Sequence, residues 1–142
     1  MLKKVLGFGL LAIVGLFVLI QLAPFGRNHT NPPVVQEPSW DSAETRALAK
    51  RACFDCHSNE TVWPWYSSIA PVSWLVARDV SEGRRAMNFS DWSQTTERGQ
   101  KVARQVQRGE MPPSFYLPMH PTAQLTADER AQLIAGLQKS LP

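Results

Sequence analysis

The chain predicts an all-α domain of roughly one hundred residues behind a single membrane-spanning helix, and three observations predict it. Its 142 residues leave room for one compact domain and little more. One unbroken apolar run extends from Val5 to Ala23, where Gln21 is the only polar side chain and Gly7, Gly9 and Gly15 interrupt nothing. Beyond it, apolar residues recur at helical spacing in four stretches, with no alternating pattern long enough for a strand and no internal repeat.

The run Val5 to Ala23 spans about 28 Å at ~1.5 Å per residue, close to the hydrocarbon thickness of a bilayer. Lys3 and Lys4 precede it and only Arg27 follows closely, so the positive-inside bias puts the N-terminus in the cytoplasm and exports the rest. Gln21-Leu22-Ala23-Pro24 has no small-x-small cleavage pattern, and segment 1–23 reads as an uncleaved anchor. Residues 24–39 carry Pro24, Pro32, Pro33 and Pro38 among polar neighbours and read as a spacer that stays extended and does not pack. The folded domain is expected over 40–142.

Its first helix opens on Asp41 and Glu44, a capping box using Asp, and runs through Ala43, Ala47 and Leu48 to the cysteines. The second places Pro71 at its first position, follows with Val72, Leu75, Val76 and Val80, and closes at Gly83. The third covers Gln94 to Arg108 with Val102, Ala103 and Val106 on one face. Gly109 stops it, and Pro112 and Pro113 block continuation. The fourth starts at the capping box Thr126 to Glu129 and carries Leu133, Ile134, Leu137 and Leu141 behind it.

Composition excludes several classes of function. Net charge is +3, but Lys3 and Lys4 supply two of those charges, and from Arg27 onward 13 Lys and Arg are interspersed with 12 Asp and Glu. That leaves no basic stripe for nucleic acid. An apolar share of 44%, with all five Trp outside the membrane-length run, excludes general disorder. Two cysteines are too few for a disulfide scaffold, and their close spacing makes them a unit.

That unit is Cys53-Phe54-Asp55-Cys56-His57, C-x-x-C-H, the attachment sequence of c-type haem. Residues three and four apart project from one side of a helical turn, so two thioethers can clamp a porphyrin edge while the imidazole reaches iron. Three rival readings are weaker. A redox-active C-x-x-C wants a βαβ context, a zinc site wants a further pair of Cys or His beyond His29 and His120, and a structural disulfide here closes only a tiny loop. Export agrees with haem, which is attached covalently outside the cytoplasm.

A sixth iron ligand has four candidates: Met87, Met111, Met119 and His120. Met111 is best placed, between the helix stop Gly109 and Pro112, on a stiff strap able to cross a haem face; core filling is its plain alternative. His120, held before Pro121, is the alternative ligand, and Met87 reads as packing. Trp63, Trp65 and Tyr66 suit a haem pocket, where large rings exclude water and N–H or O–H groups reach the propionates. Trp74, Phe89 and Trp92 lie further on, and for each ring an ordinary aromatic core is the competing reading. Arg84 and Arg85 are candidates to pair with propionates, against a plain solvated arginine. Asn28-His29-Thr30, Asn59-Glu60-Thr61 and Asn88-Phe89-Ser90 match the glycosylation pattern, which arises often by chance and carries no assigned role.

With these residues in view, C-F-D-C-H-S-N, W-P-W-Y-S-S-I-A-P-V-S-W, G-R-R-A-M-N-F-S-D-W, G-E-M-P-P, Y-L-P-M-H-P and L-T-A-D-E-R resemble the bacterial haem-binding domain family related to class I cytochromes c. The resemblance covers Trp40 to Pro142 and leaves the anchor outside. It implies a small cytochrome c-like helical domain around one covalent haem c, with thioethers on Cys53 and Cys56, His57 as proximal ligand and Met111 as distal ligand. The expected function is that of a membrane-anchored monohaem cytochrome, an electron carrier and not an enzyme. It would exchange single electrons with redox protein partners, a membrane respiratory complex among them, at the periplasmic face of a bacterial inner membrane. Two alternatives stand beside it: a haem-based sensor or small catalytic haem protein with an open or displaceable distal site, and a haem-bearing structural subunit of a respiratory assembly.

Overall fold

The computed structural model describes residues 2–92 and 96–141, and the fold among them is all-α. Six α-helices follow one another: α1 (Leu2–Ile20), α2 (Ala43–Ala52), α3 (Phe54–His57), α4 (Val72–Ala86), α5 (Thr96–Gln107) and α6 (Ala127–Ser140). Short 3₁₀ turns occupy Trp65–Ser68, Leu117–Met119 and Pro121–Ala123. Among the described residues the only sheet-like pairing is an isolated parallel bridge between Gln36 and Asp91. The chain forms two compact units, one of Met1–Thr30 with Trp63–Asp79 and one of Asn31–Val62 with Val80–Pro142.

In the first unit, α1 is long and apolar enough to cross a membrane, and none of its residues is buried by protein. It starts at Leu2, taking in Lys3 and Lys4, and stops at Ile20, three residues short of the sequence expectation. Single turn-type bonds carry the chain on, Gln21 N–H to Val18 O and Ala23 N–H to Ile20 O, until Pro24 offers no N–H and disfavours helix in the residue before it. The same unit holds the start of α4, which begins directly after Pro71.

In the second unit the three predicted helices appear with instructive shifts. The α2 cap is Ser42, whose side chain accepts the Thr45 N–H; Asp41 does not cap, because its carboxylate accepts the Ser140 hydroxyl at 3.1 Å and its N–H donates to that same oxygen at 2.9 Å. The expected Asp41–Glu44 box is corrected accordingly. For α5, the described helix starts at Thr96, and Gln94 lies outside the described residues. Its C-terminus closes with Glu110 N–H on Gln105 O and Gly109 N–H on Val106 O, a paired termination that needs the positive φ of 72° at Gly109. The α6 capping box forms as expected, with Thr126 and Glu129 each bonding the other's backbone N–H.

The core of this unit joins Leu48, Ala49 and Ala52 of α2, Phe54 of α3, Ala103 and Val106 of α5, and Leu133, Leu137 and Leu141 around α6, with Met87 and Phe89 between them. Phe54 stacks on Phe89 at 5.4 Å between ring centroids, and Trp40 and Trp92 pack on the same ring at 5.2 and 5.9 Å. Full burial of each phenylalanine contributes about 1.5–3 kcal/mol.

The spacer reading is corrected for residues 31–39. Val35 and Gln36 donate to Ser90 O, Trp92 N–H donates to Gln36 O, Asn59 donates to Pro33 O, and Glu37 takes a two-pronged ion pair from Arg46 at 2.7 and 2.6 Å. Prolines keep this stretch extended, and its exposed backbone groups then pair with a neighbouring loop instead of water.

Candidate functional site

The C-x-x-C-H motif begins where α2 ends. Cys53 N–H still bonds Ala49 O, then the backbone breaks at φ −131° and restarts, so α3 is a single turn closed by His57 N–H on Cys53 O at 2.9 Å. This break lets Phe54 turn inward to the aromatic core while Cys53, Cys56 and His57 stay half-buried on the turn. Neither cysteine is in a disulfide. Burial, with Cys56 beside it as the lesser cause, pushes the Cys53 thiol up to about 12, so it stays protonated and unreactive as a thiolate at neutral pH.

His57 is the most constrained member. Its Nδ1 lies 2.9 Å from Gly83 O and 3.2 Å from Met87 O, two carbonyls near the C-terminus of α4. Carbonyls accept only, so Nδ1 carries the proton and Nε2 is left as the ring's lone-pair donor. Burial pulls the His57 imidazolium below its ordinary range, against the two carbonyls that would raise it, which favours the neutral ring a metal needs. Phe89 N–H bonds His57 O at 2.7 Å and fixes the backbone of the same residue.

Gly83 is where the sequence reading fails informatively. It was expected to close the helix, yet α4 continues to Ala86. A Cβ at 83 would stand 2.9 Å from the Cys56 carbonyl carbon and 3.0 Å from Cys56 Cβ, so the missing side chain is what allows α4 to lie against the motif. A glycine inside a helical pattern costs about 1 kcal/mol against alanine, and such a cost signals a packing reason.

Arg84, next on the helix, is no plain solvated arginine. Its guanidinium donates to Ser58 O at 2.7 Å, and to Asn31 Oδ1 and Thr61 Oγ1 at 2.9 Å each, clamping the loop that leaves His57. Asn88 donates to Asn59 Oδ1 at 2.9 Å in the same network, and Asn59 is buried, which gives two of the glycosylation-like asparagines a structural role. Arg85 is exposed.

Among the candidate sixth ligands, Met111 is half-buried and packs on the same apolar cluster as Cys53. Met87 is buried in that cluster and reaches the site through its carbonyl. Met119 is 57% exposed. His120 stacks on Tyr116 at 3.7 Å, with Nδ1 3.0 Å from Tyr116 O. The Tyr116 hydroxyl in turn donates to Asp55 Oδ2 at 2.6 Å, tying the loop beyond Met111 to the inside of the C-x-x-C motif. Neither Asp55 nor Tyr116 had a sequence signature for this contact.

Trp63, Trp65 and Tyr66 belong to the first unit. Trp63 stacks on His29 at 4.7 Å, and Trp65 meets Tyr66 edge-on at 5.7 Å while 74% exposed. Trp74, in the same unit, buries its indole N–H without a protein partner, as does the Ser73 hydroxyl, orphans of the kind a bound polar group satisfies.

Comparison with known protein families matches residues 15–139 to the haem-binding domain family. The chain belongs to that family. The match covers most of the chain and reaches back into α1, beyond the Trp40 to Pro142 range on which the sequence resemblance rested. No curated protein and no solved structure matches the chain. The geometry fits the cofactor this family takes: a motif turn with two thiols, and a histidine whose Nδ1 is engaged so that Nε2 can bind iron.

Proposed function

We propose that this haem-binding protein is a membrane-anchored monohaem c-type cytochrome, related to class I cytochromes, that carries single electrons between redox protein partners at the periplasmic face of a bacterial inner membrane. The observation that supports this best is His57 Nδ1 held by the Gly83 and Met87 carbonyls on a turn that also carries Cys53 and Cys56. In this reading Cys53 and Cys56 carry the thioethers, His57 is the proximal ligand and Met111 the distal one. Haem c supplies a one-electron ferrous–ferric couple when bound. The chain's own contribution would be to carry both thiols on one turn, to orient the imidazole, and to present a soft thioether from a strap anchored by Gly109. Soft sulfur favours ferrous iron and raises the potential relative to two nitrogen ligands.

The test is spectroscopic. Protein produced with a cytochrome c maturation system should keep haem-dependent peroxidase stain through a denaturing gel, and changing both Cys53 and Cys56 to Ala should abolish it. The ferric form should show a weak far-red sulfur-to-iron band that Met111→Ala erases while opening the reduced form to carbon monoxide. Carbon monoxide binding by the unaltered protein would instead support a sensor or catalytic role. Loss of the sixth-ligand signature only in His120→Ala would move the distal bond to His120 and return Met111 to core packing.

A further inference from the structure

The first unit is more than a helix and a tether. Gln21, the first residue beyond α1, lays its side-chain amide along the Ala70 backbone, with Nε2 donating to Ala70 O at 2.9 Å and Oε1 accepting Ala70 N–H at 3.0 Å. Five residues on, the Gly26 backbone lies so close to Ser73 that a Cβ there would sit 2.7 Å from the Ser73 carbonyl carbon. His29 then stacks on Trp63 and bonds Ser67 O at 3.1 Å. The segment leaving α1 is thus fastened at three successive points to the tryptophan-rich block and the start of α4.

This fastening sets a depth. A span of 19 residues matches the hydrocarbon thickness, about 30 Å, and the headgroup layer adds about 5–7 Å on each side. Gln21 therefore stands at the hydrocarbon boundary, Ala70 is within hydrogen-bond reach of it, and Val72 is at most about 7.6 Å beyond Ala70 along the chain. Residues at that depth are not those of a wetted surface. Val72 and Leu75, one turn apart on the same face of α4, are 40% and 50% exposed; Leu22 and Phe25 on the connecting segment are 77% and 65% exposed. Trp65, 74% exposed, sits in the same unit, and indole rings concentrate at membrane interfaces.

We propose that the apolar edge formed by Leu22, Phe25, Val72 and Leu75, with Trp65 at its rim, rests in the headgroup layer of the bilayer that α1 crosses, making the tryptophan-rich block a membrane-seated platform. The inference depends on the membrane reading above, and its occupant is the phospholipid surface. Continuity with α1, whose exposed apolar side chains the bilayer covers, distinguishes it from a protein-docking patch. It also gives Trp65 a role other than lining a haem pocket.

Full-length haem-loaded protein in phosphatidylethanolamine–phosphatidylglycerol vesicles doped with a phospholipid bearing a diazirine near the glycerol end of one acyl chain provides the test. After irradiation, peptide mass spectrometry should find lipid adducts on residues 65–75 as well as on α1. Val72→Glu with Leu75→Glu should lower the adducts on 65–75 at least tenfold while leaving those on α1 and the haem spectrum unchanged. Adducts on α1 with none on 65–75 would overturn the platform and leave the anchor standing. Absence of adducts from both would overturn the anchor and the platform with it. Undiminished adducts on 65–75 in the Val72→Glu, Leu75→Glu variant would also overturn it.

Discussion

A methyl group at residue 83 has no room: its carbon would stand 2.9 Å from the Cys56 carbonyl carbon, with backbone on both sides of the contact. Gly83→Ala therefore pushes α4 away from the motif and carries off the carbonyl that holds His57 Nδ1 at 2.9 Å. Overpacking of this kind costs about 1–3 kcal/mol. We expect Gly83→Ala to show lower stability, less covalently attached haem per molecule and an altered proximal-ligand signature, whereas Gly15→Ala, with open space around it, should change none of these. Full haem content and an unshifted spectrum in Gly83→Ala would mean that the Gly83 contact does not position His57. Two kinds of residue meet at this point. The cysteines and histidine were legible because their chemistry lies in five consecutive side chains. The groups that orient the histidine are the backbone carbonyls of Gly83 and Met87, which any residue possesses and no sequence pattern marks.

Among the elements, the stretch 31–39 behaves as part of the folded body because its charges and backbone are paired. Glu37 is held below its ordinary value of 4.5, chiefly by the hydrogen bonds from Arg46, with Trp40 adding a second donor. The folded form then binds that proton less readily than the unfolded chain does, so the pair stabilises above the unfolded value and the gain is lost as pH falls through the lowered folded value. Because both side chains are partly exposed, the gain is about 1 kcal/mol or less. Glu37→Gln should therefore lower stability at neutral pH and flatten the acid limb of a stability–pH profile below the ordinary value of 4.5; an identical acid limb would show that Glu37 does not contribute to it. Elements differed in legibility by how local their causes are. The α6 cap is complete within Thr126 and Glu129, and the Gly109 stop within Gln105 to Glu110, so both could be read directly. The proline-rich stretch finds its partners at Ser90 and Trp92, and α4 outruns Gly83 because its fit depends on Cys56; neither distance is visible in a window of neighbours.

For the molecule as a whole, the proposed anchor and the proposed haem ligands fall in different units. The C-x-x-C-H turn, Gly83, Met87 and Met111 all fall in the second unit, while α1 and the residues fastened to the segment after it fall in the first. Cutting the chain at Arg27 therefore removes the apolar span and the Gln21 pairing with Ala70, yet leaves every residue assigned to haem in place. The full chain should stay in membranes through a high-salt wash, because salt screens surface charge and leaves apolar burial intact. A form starting at Arg27 behind a cleavable export signal should attach haem in full, since its motif and the carbonyls behind His57 are untouched. It should also unfold in its first unit more easily than the full chain, because the Ala70 N–H and C=O both lose Gln21; amide exchange at Ile69 and Ala70 reads this directly. On the proposed topology, which follows from the positive-inside bias of the lysines at positions 3 and 4, external protease should reach the haem domain in spheroplasts carrying the full chain. Protection of that domain would reverse the topology, and with it the covalent attachment route, because haem reaches C-x-x-C-H only on the exported side. Haem loss on truncation at Arg27 would show instead that the first unit contributes to the site, with the buried indole N–H of Trp74 as the first residue to examine.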